Sequence, residues 1–211
     1  LAEPFCVAVD PTTGKLFVAD RDNRRVMRWS SANALIDGSP AEVVFGQPDF
    51  VTRTANTGGI SAATMNNPNS VYVDANGTLW VADRDNHRVL RFDNASTKLT
   101  GANADGVLGQ PNFTSNTAGT TASLLSAPTS VFVDGIGILW VCDKDNNRVL
   151  RFNNAAGKPN GSNADGVLGQ TDFTSSTGGT TAAMFDAPWG VYVDVTGKLW
   201  VADRYNSRVL R

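Results

Sequence analysis

Leu79-Trp-Val-Ala-Asp83, Arg84-Asp-Asn-His87 and Arg88-Val-Leu-Arg-Phe92 read as two short β-rich runs hinged on a polar turn. The stretch recurs. Asp20, Asp83, Asp143 and Asp203 hold the same place in four copies, 63, 60 and 60 residues apart. Aligned without a gap, residues 68–127 and 128–187 agree at 38 of 60 positions, which points to recent duplication. Such a period decides the fold class before local detail does.

Working outward from the hinge, each unit gains two more segments. Pro128-Thr-Ser-Val-Phe-Val-Asp134 is a β-rich run that precedes it, closed by a turn at Gly135 and Gly137. Val167-Leu-Gly-Gln-Thr-Asp-Phe173 follows 14 residues after the third run and is expected as a fourth strand. The same 14-residue gap stands at 30–43, 93–106 and 153–166. The connectors to the next unit measure 17, 14 and 14 residues, so three extra residues in 51–67 explain the longer first period. Insertions confined to a connector leave the strands in register. Four short strands per unit predict an all-β chain, each unit one blade of a β-propeller. The blades are expected near 4–67, 68–127 and 128–187, with 188–211 a partial fourth.

Composition agrees and excludes other classes. Among 211 residues there are 20 Gly and 9 Pro, but only 2 Glu (Glu3 and Glu42) and 5 Lys, poor material for long helices. No run approaches 18 apolar residues, so no helical membrane insertion is expected. A net charge of −2 gives no general footprint for nucleic acid. The chain opens at Leu1 with neither a charged n-region nor an apolar h-region, so no signal peptide is read in it.

The quoted residues resemble the NHL repeat. Pro68-Asn-Ser-Val-Tyr-Val-Asp74, Gly77, Leu79-Trp-Val-Ala-Asp83 and Asn86-His-Arg-Val-Leu-Arg-Phe92 carry the resemblance in the second copy. The histidine of that signature survives only as His87; the other copies have Arg24, Asn147 and Ser207. The Gly-Gln-Pro-Asp-Phe type of segment and the long Ser/Thr connector depart from it, and suggest a bacterial-type variant. The resemblance implies about six blades when complete. Three readings of a three-and-a-half-blade chain follow: a piece of a larger ring, which we favour, a small four-bladed ring, or a multi-chain assembly.

Two polar sets stand out. The triplets Asp20/Asn23/Arg25, Asp83/Asn86/Arg88, Asp143/Asn146/Arg148 and Asp203/Asn206/Arg208 recur in every copy. One active site needs different residues in each blade, so these triplets read as structural turn locks rather than catalytic groups. In an up-and-down blade, the loops after the second and fourth strands emerge on one face. Candidate binding residues there are Arg21, Asp22, Arg84, Asp85, His87, Lys144, Asp145, Arg204 and Tyr205. His87 is expected as a surface turn residue.

Catalytic and metal sets fare worse. A calcium loop needs Gly at position 6 and Glu at 12; counted from Asp83 these are Arg88 and Asn94. Relatives implied by the resemblance include a zinc lyase built on several histidines, whereas this chain has one. No metal and no cofactor is assigned. Cys6 and Cys142 fall in different blades and are expected as two buried thiols. The sequence is therefore read as a non-catalytic binding or scaffold module, extracellular or at the cell surface, with a protein or glycan partner. The alternatives are self-assembly into a ring or filament, and a metal-dependent lyase or hydrolase whose site lies outside this chain.

Overall fold

The computed structural model describes residues 1–211 as four antiparallel sheets, each a meander in chain order. Blade 1 holds β1 (Pro4–Val9), β2 (Leu16–Asp20), β3 (Arg25–Trp29) and β4 (Val43–Phe45). Blade 2 holds β5 (Pro68–Val73), β6 (Leu79–Asp83), β7 (Arg88–Phe92) and β8 (Gly106–Leu108). Blade 3 repeats this with β9 (Pro128–Val133), β10 (Leu139–Asp143), β11 (Arg148–Phe152) and β12 (Gly166–Leu168). Blade 4 has three strands, β13 (Pro188–Val193), β14 (Leu199–Asp203) and β15 (Arg208–Leu210). Helical structure is limited to single 3-10 turns. The pairing register is the same in blades 1, 2 and 3, so the three-residue insertion stays in its connector.

The first strand of each blade packs on the first strand of the next, so β1, β5, β9 and β13 line the axis. Alternation then gives blades 2 and 3 two buried faces each. Val71, Val73, Leu79, Val81 and Leu90 face blade 1 and join Phe17, Phe45 and Phe92 in one core. Trp80, Ala82 and Val89 face blade 3 and join Val131, Val133, Leu150 and Phe152 in the next. A smaller core, with Cys142, Val149 and Phe185, lies between blades 3 and 4. The outer faces of the first and last blades are open. Val7 and Val9 are 61% and 48% exposed, while their counterparts Val71 and Val73 are buried.

Two expectations need correction. The fourth strand is three residues, not seven, because the next residue is a glycine in the left-handed region: Gly46, Gly109 and Gly169 have φ of 85°, 83° and 87°. A Cβ on Gly109 would stand 2.3 Å from Leu125, and one on Gly169 2.2 Å from Phe185. Both conformation and space therefore demand glycine there. Second, Cys6 is only half-buried, its Sγ against Ser70 and the Val71 carbonyl of blade 2; Cys142 is fully buried and neither is paired. The repeated tryptophans differ in cover: Trp80 is buried, but Trp200 is 38% exposed on the outer face of blade 4.

Candidate functional site

Each expected lock closes on a buried aspartate. Asp83 Oδ2 accepts from Arg88 Nε at 2.7 Å and Asn86 Nδ2 at 2.8 Å, and Oδ1 accepts the Asn66 amide at 2.7 Å. Asp143 takes Arg148 Nε at 2.7 Å, Asn146 at 2.8 Å and the Ser126 amide at 2.6 Å. Asp20 with Asn23 and Arg25, and Asp203 with Asn206 and Arg208, repeat the pattern. The rest of the guanidinium holds the connectors. Arg88 donates to the carbonyls of Ser61, Thr64 and Phe113, and Arg148 to those of Thr120, Thr121 and Leu124. One side chain thus fixes the loop entering its blade and the segment leaving it. Burial pushes the Asp83 and Asp143 carboxyls up, Asp143 to about 6, against the pull of Arg88 and Arg148.

Sequence reasoning missed two further bonds that recur between blades. In the Gly-Gln segment, Gln110 Nε2 donates to the His87 carbonyl at 2.9 Å and to the Thr117 carbonyl at 2.9 Å. Gln170 does the same with Asn147 and Thr177, so the departure from the usual repeat is structural. Asp74 Oδ2 accepts Trp80 Nε1 at 3.0 Å while its Oδ1 caps the turn at Asn76 and Thr78. The fixed six-residue spacing of Asp74/Trp80, Asp134/Trp140 and Asp194/Trp200 was the available signal.

The candidate binding residues do share one end of the arc. Pairing of Pro68 with Asp83, and of Pro188 with Asp203, sets the turn after the second strand beside the start of the axial strand. Their charges are largely matched locally: Arg21 pairs with Glu3 and Asp22, Arg84 with Asp85, and Lys144 with Asp145. Arg204 has no acidic partner and lies over the Trp189 ring at 4.2 Å and the Tyr205 ring at 5.6 Å. Arg21 lies likewise over Phe5 at 4.7 Å.

His87 is not a free surface residue. It has a φ of 53°, is partly buried, and its Nδ1 accepts the amide of Ala127 at 3.0 Å, tying blade 2 to blade 3. Asn147 Oδ1 makes the matching bond to the amide of Ala187 at 2.8 Å. Burial holds the His87 pKa below its ordinary value, although Asp85, Asp145 and Asp83 pull it up. A folded pKa below the unfolded one means the unfolded chain binds the proton first. This contribution to stability is complete above the unfolded value of about 6.5 and is lost as pH falls below it. Asp143, whose pKa is raised, acts in the opposite sense between roughly pH 4 and 6. The comparison with His87→Asn cancels that common contribution. The fall in melting temperature from pH 7.5 to 5.5 is expected to be smaller in His87→Asn than in the parent, read by thermal melts at both pH values.

Other acidic segments are local turns. Asp105 accepts the Asp93 amide and pairs with Lys98 at 2.8 Å; Asp165 does the same with Asn153 and Lys158. No three side chains of His, Cys, Asp or Glu converge as a metal-ligand set, and no helix is long and apolar enough to cross a membrane.

Comparison with known proteins follows the same lines. The family model described as NHL repeat matches residues 65–92 and 185–211. NHL repeat-containing protein 3 of Mus musculus is 25% identical over 219 residues, covering 97% of this chain and 50% of that protein. The chain thus spans about half the length of the mouse and human proteins of that name. A structural-genomics protein of unknown function from Bacteroides thetaiotaomicron superposes with a TM-score of 0.60 at 13% identity, over 99% of this chain and 46% of that one. Virginiamycin B lyase from Staphylococcus aureus gives 0.55 at 12%, over 99% and 54%. At these identities the two structures share the fold alone.

Proposed function

From its membership of the NHL-repeat family, we propose that this chain is a non-catalytic binding module. It presents the turn end of its propeller to a protein or glycan outside the cell or at its surface. The observation that carries the reading is where the copies differ. Blades 2 and 3 are near-copies, and their acids, arginines and histidine are consumed in locks and inter-blade bonds. At the turn end, Arg204 and the exposed Tyr205 are left free to meet a partner. A glycan array and a protein pull-down with the full-length protein test this, and two empty results would count decisively against it.

A second reading, head-to-tail assembly of copies, is favoured by the end faces. Tyr192, Trp200 and Val209 on blade 4 are exposed, as are Val7 and Val9 on blade 1. These are the repeat equivalents of the two surfaces that meet between blades 2 and 3. Exposed apolar surface of this kind marks an interaction site. Sedimentation velocity across a wide concentration range would show association; monomer throughout would sink this reading.

A further inference from the structure

The end of the arc opposite the Asp/Asn/Arg locks, where first and second strands are joined, carries a run of aromatic rings. Two residues before the aspartate that follows each axial strand stand Ala8, Tyr72, Phe132 and Tyr192. Across the ladder these pair with Phe17, Trp80, Trp140 and Trp200. From blade 2 onward, one face of each blade therefore holds two rings side by side. Rings of neighbouring axial strands also meet: Tyr72 and Phe132 lie 4.6 Å apart at 45°, Phe132 and Tyr192 5.1 Å apart at 73°. Rings set at such angles form a corner rather than a flat stack.

A cavity of about 730 Å³ opens at that corner, a size that suits a small organic ligand. Tyr72, Phe132, Trp140 and Tyr192 line it together with Asp134 and Asp194. All six keep accessible surface, and Tyr192 is 52% exposed. The charge of the cavity is one-sided, since no lysine or arginine lines it. The donors to both aspartates are neutral. Asp134 accepts the Trp140 indole at 3.2 Å and the Ile136 and Ile138 amides. Asp194 accepts the Trp200 indole at 2.9 Å, the Thr196 hydroxyl and amide, and the Lys198 amide. The Thr196 hydroxyl and the Trp200 indole hold the Asp194 carboxyl far below its ordinary pKa, so it stays ionised. Burial raises the Tyr72 pKa, and the charges of Asp74 and Asp134 raise it further.

Electron-rich ring faces beside two carboxylates favour a cation. A primary ammonium would bring N–H groups that need acceptors, and both carboxylates are already engaged by their own turns. A cation sheathed in methyl groups makes no such demand. We propose that this cavity binds a quaternary ammonium group, its methyls against Tyr72, Phe132, Trp140 and Tyr192 and its charge facing Asp134 and Asp194. The site lies at the other end of the arc from Arg204 and Tyr205. It therefore goes beyond the binding-module reading, and its failure leaves that reading untouched.

Calorimetric titration of residues 1–211 with choline, its uncharged carbon isostere dimethylbutanol and the primary amine ethanolamine tests the site. Choline is expected to bind about tenfold more tightly than either of the others. Tyr192→Leu keeps apolar bulk but removes the ring, and is expected to weaken choline about threefold, whereas Tyr192→Phe retains it. Asp194→Asn keeps the shape and removes a charge, and is expected to weaken choline about threefold as well. No heat with choline would overturn the proposal. So would equal binding of dimethylbutanol, which means burial alone, or of ethanolamine, which means charge alone. Parent-like choline affinity in a folded Tyr192→Leu protein would overturn it too. Thermal melts of each variant separate loss of the site from loss of the fold. Should Tyr192→Leu unfold, parent-like choline affinity in Asp194→Asn overturns the proposal by itself.

Discussion

Asp83→Ala is expected to lower the melting temperature by roughly 6–20 °C. Its carboxylate is fully buried against a fully buried Arg88, so the truncation leaves a cation with no counter-charge in a dry interior. Removing one partner of such a pair costs about 3–5 kcal/mol, and each kcal/mol moves the melting point of a domain this size by about 2–4 °C. The informative comparison is the double substitution Asp83→Leu with Arg88→Met. For a simple buried ion pair, apolar replacement of both partners is often neutral or better. Here Arg88 also serves the carbonyls of Ser61, Thr64 and Phe113, and Asp83 serves the Asn66 amide. Those backbone groups would be orphaned, so the double variant is expected to stay destabilised. Recovery of the parent melting temperature would reduce the lock to an ion pair. Unchanged stability in Asp83→Ala with lost ligand binding would instead make Asp83 a binding residue.

That dependence on connector carbonyls explains what was legible in the sequence and what was not. Strand positions follow from alternation at Leu79, Val81, Val71 and Val73, because period two and the repeat both mark them. The Asp/Asn/Arg lock was visible since its three members lie within six residues and recur four times. The targets of Arg88 were invisible, because backbone carbonyls at Ser61 and Phe113 leave no trace in residue identity. His87 misled for a related reason: position 87 looks variable, yet His Nδ1 and Asn147 Oδ1 are the same acceptor in different residue types.

Trp80→Ala and Trp200→Ala are the same substitution in two copies of one repeat, and the first is expected to cost about twice the second. Both indoles donate to the equivalent aspartate, Trp80 to Asp74 at 3.0 Å and Trp200 to Asp194 at 2.9 Å, so loss of that bond is common to both. What differs is the neighbour. Trp80 is 1% exposed and packs into the core shared with Val131, Val133 and Leu139; its removal leaves a cavity between two blades. Truncating a buried Trp costs about 3–5 kcal/mol, since packed blades collapse only partly onto the space. Trp200 is 38% exposed, with the Arg211 guanidinium 5.9 Å from its ring as its outward contact. Its removal opens no cavity between blades and forfeits only the part of the indole that blade 4 itself covers, roughly 2 kcal/mol at ~25 cal/mol per Å² of apolar surface. Melts of the two variants at low protein concentration read this contrast directly. An effect of Trp200→Ala that grows with concentration toward that of Trp80→Ala would mean that a second copy covers the outer face of blade 4. A small effect at every concentration would leave that face free and remove the main support for head-to-tail assembly.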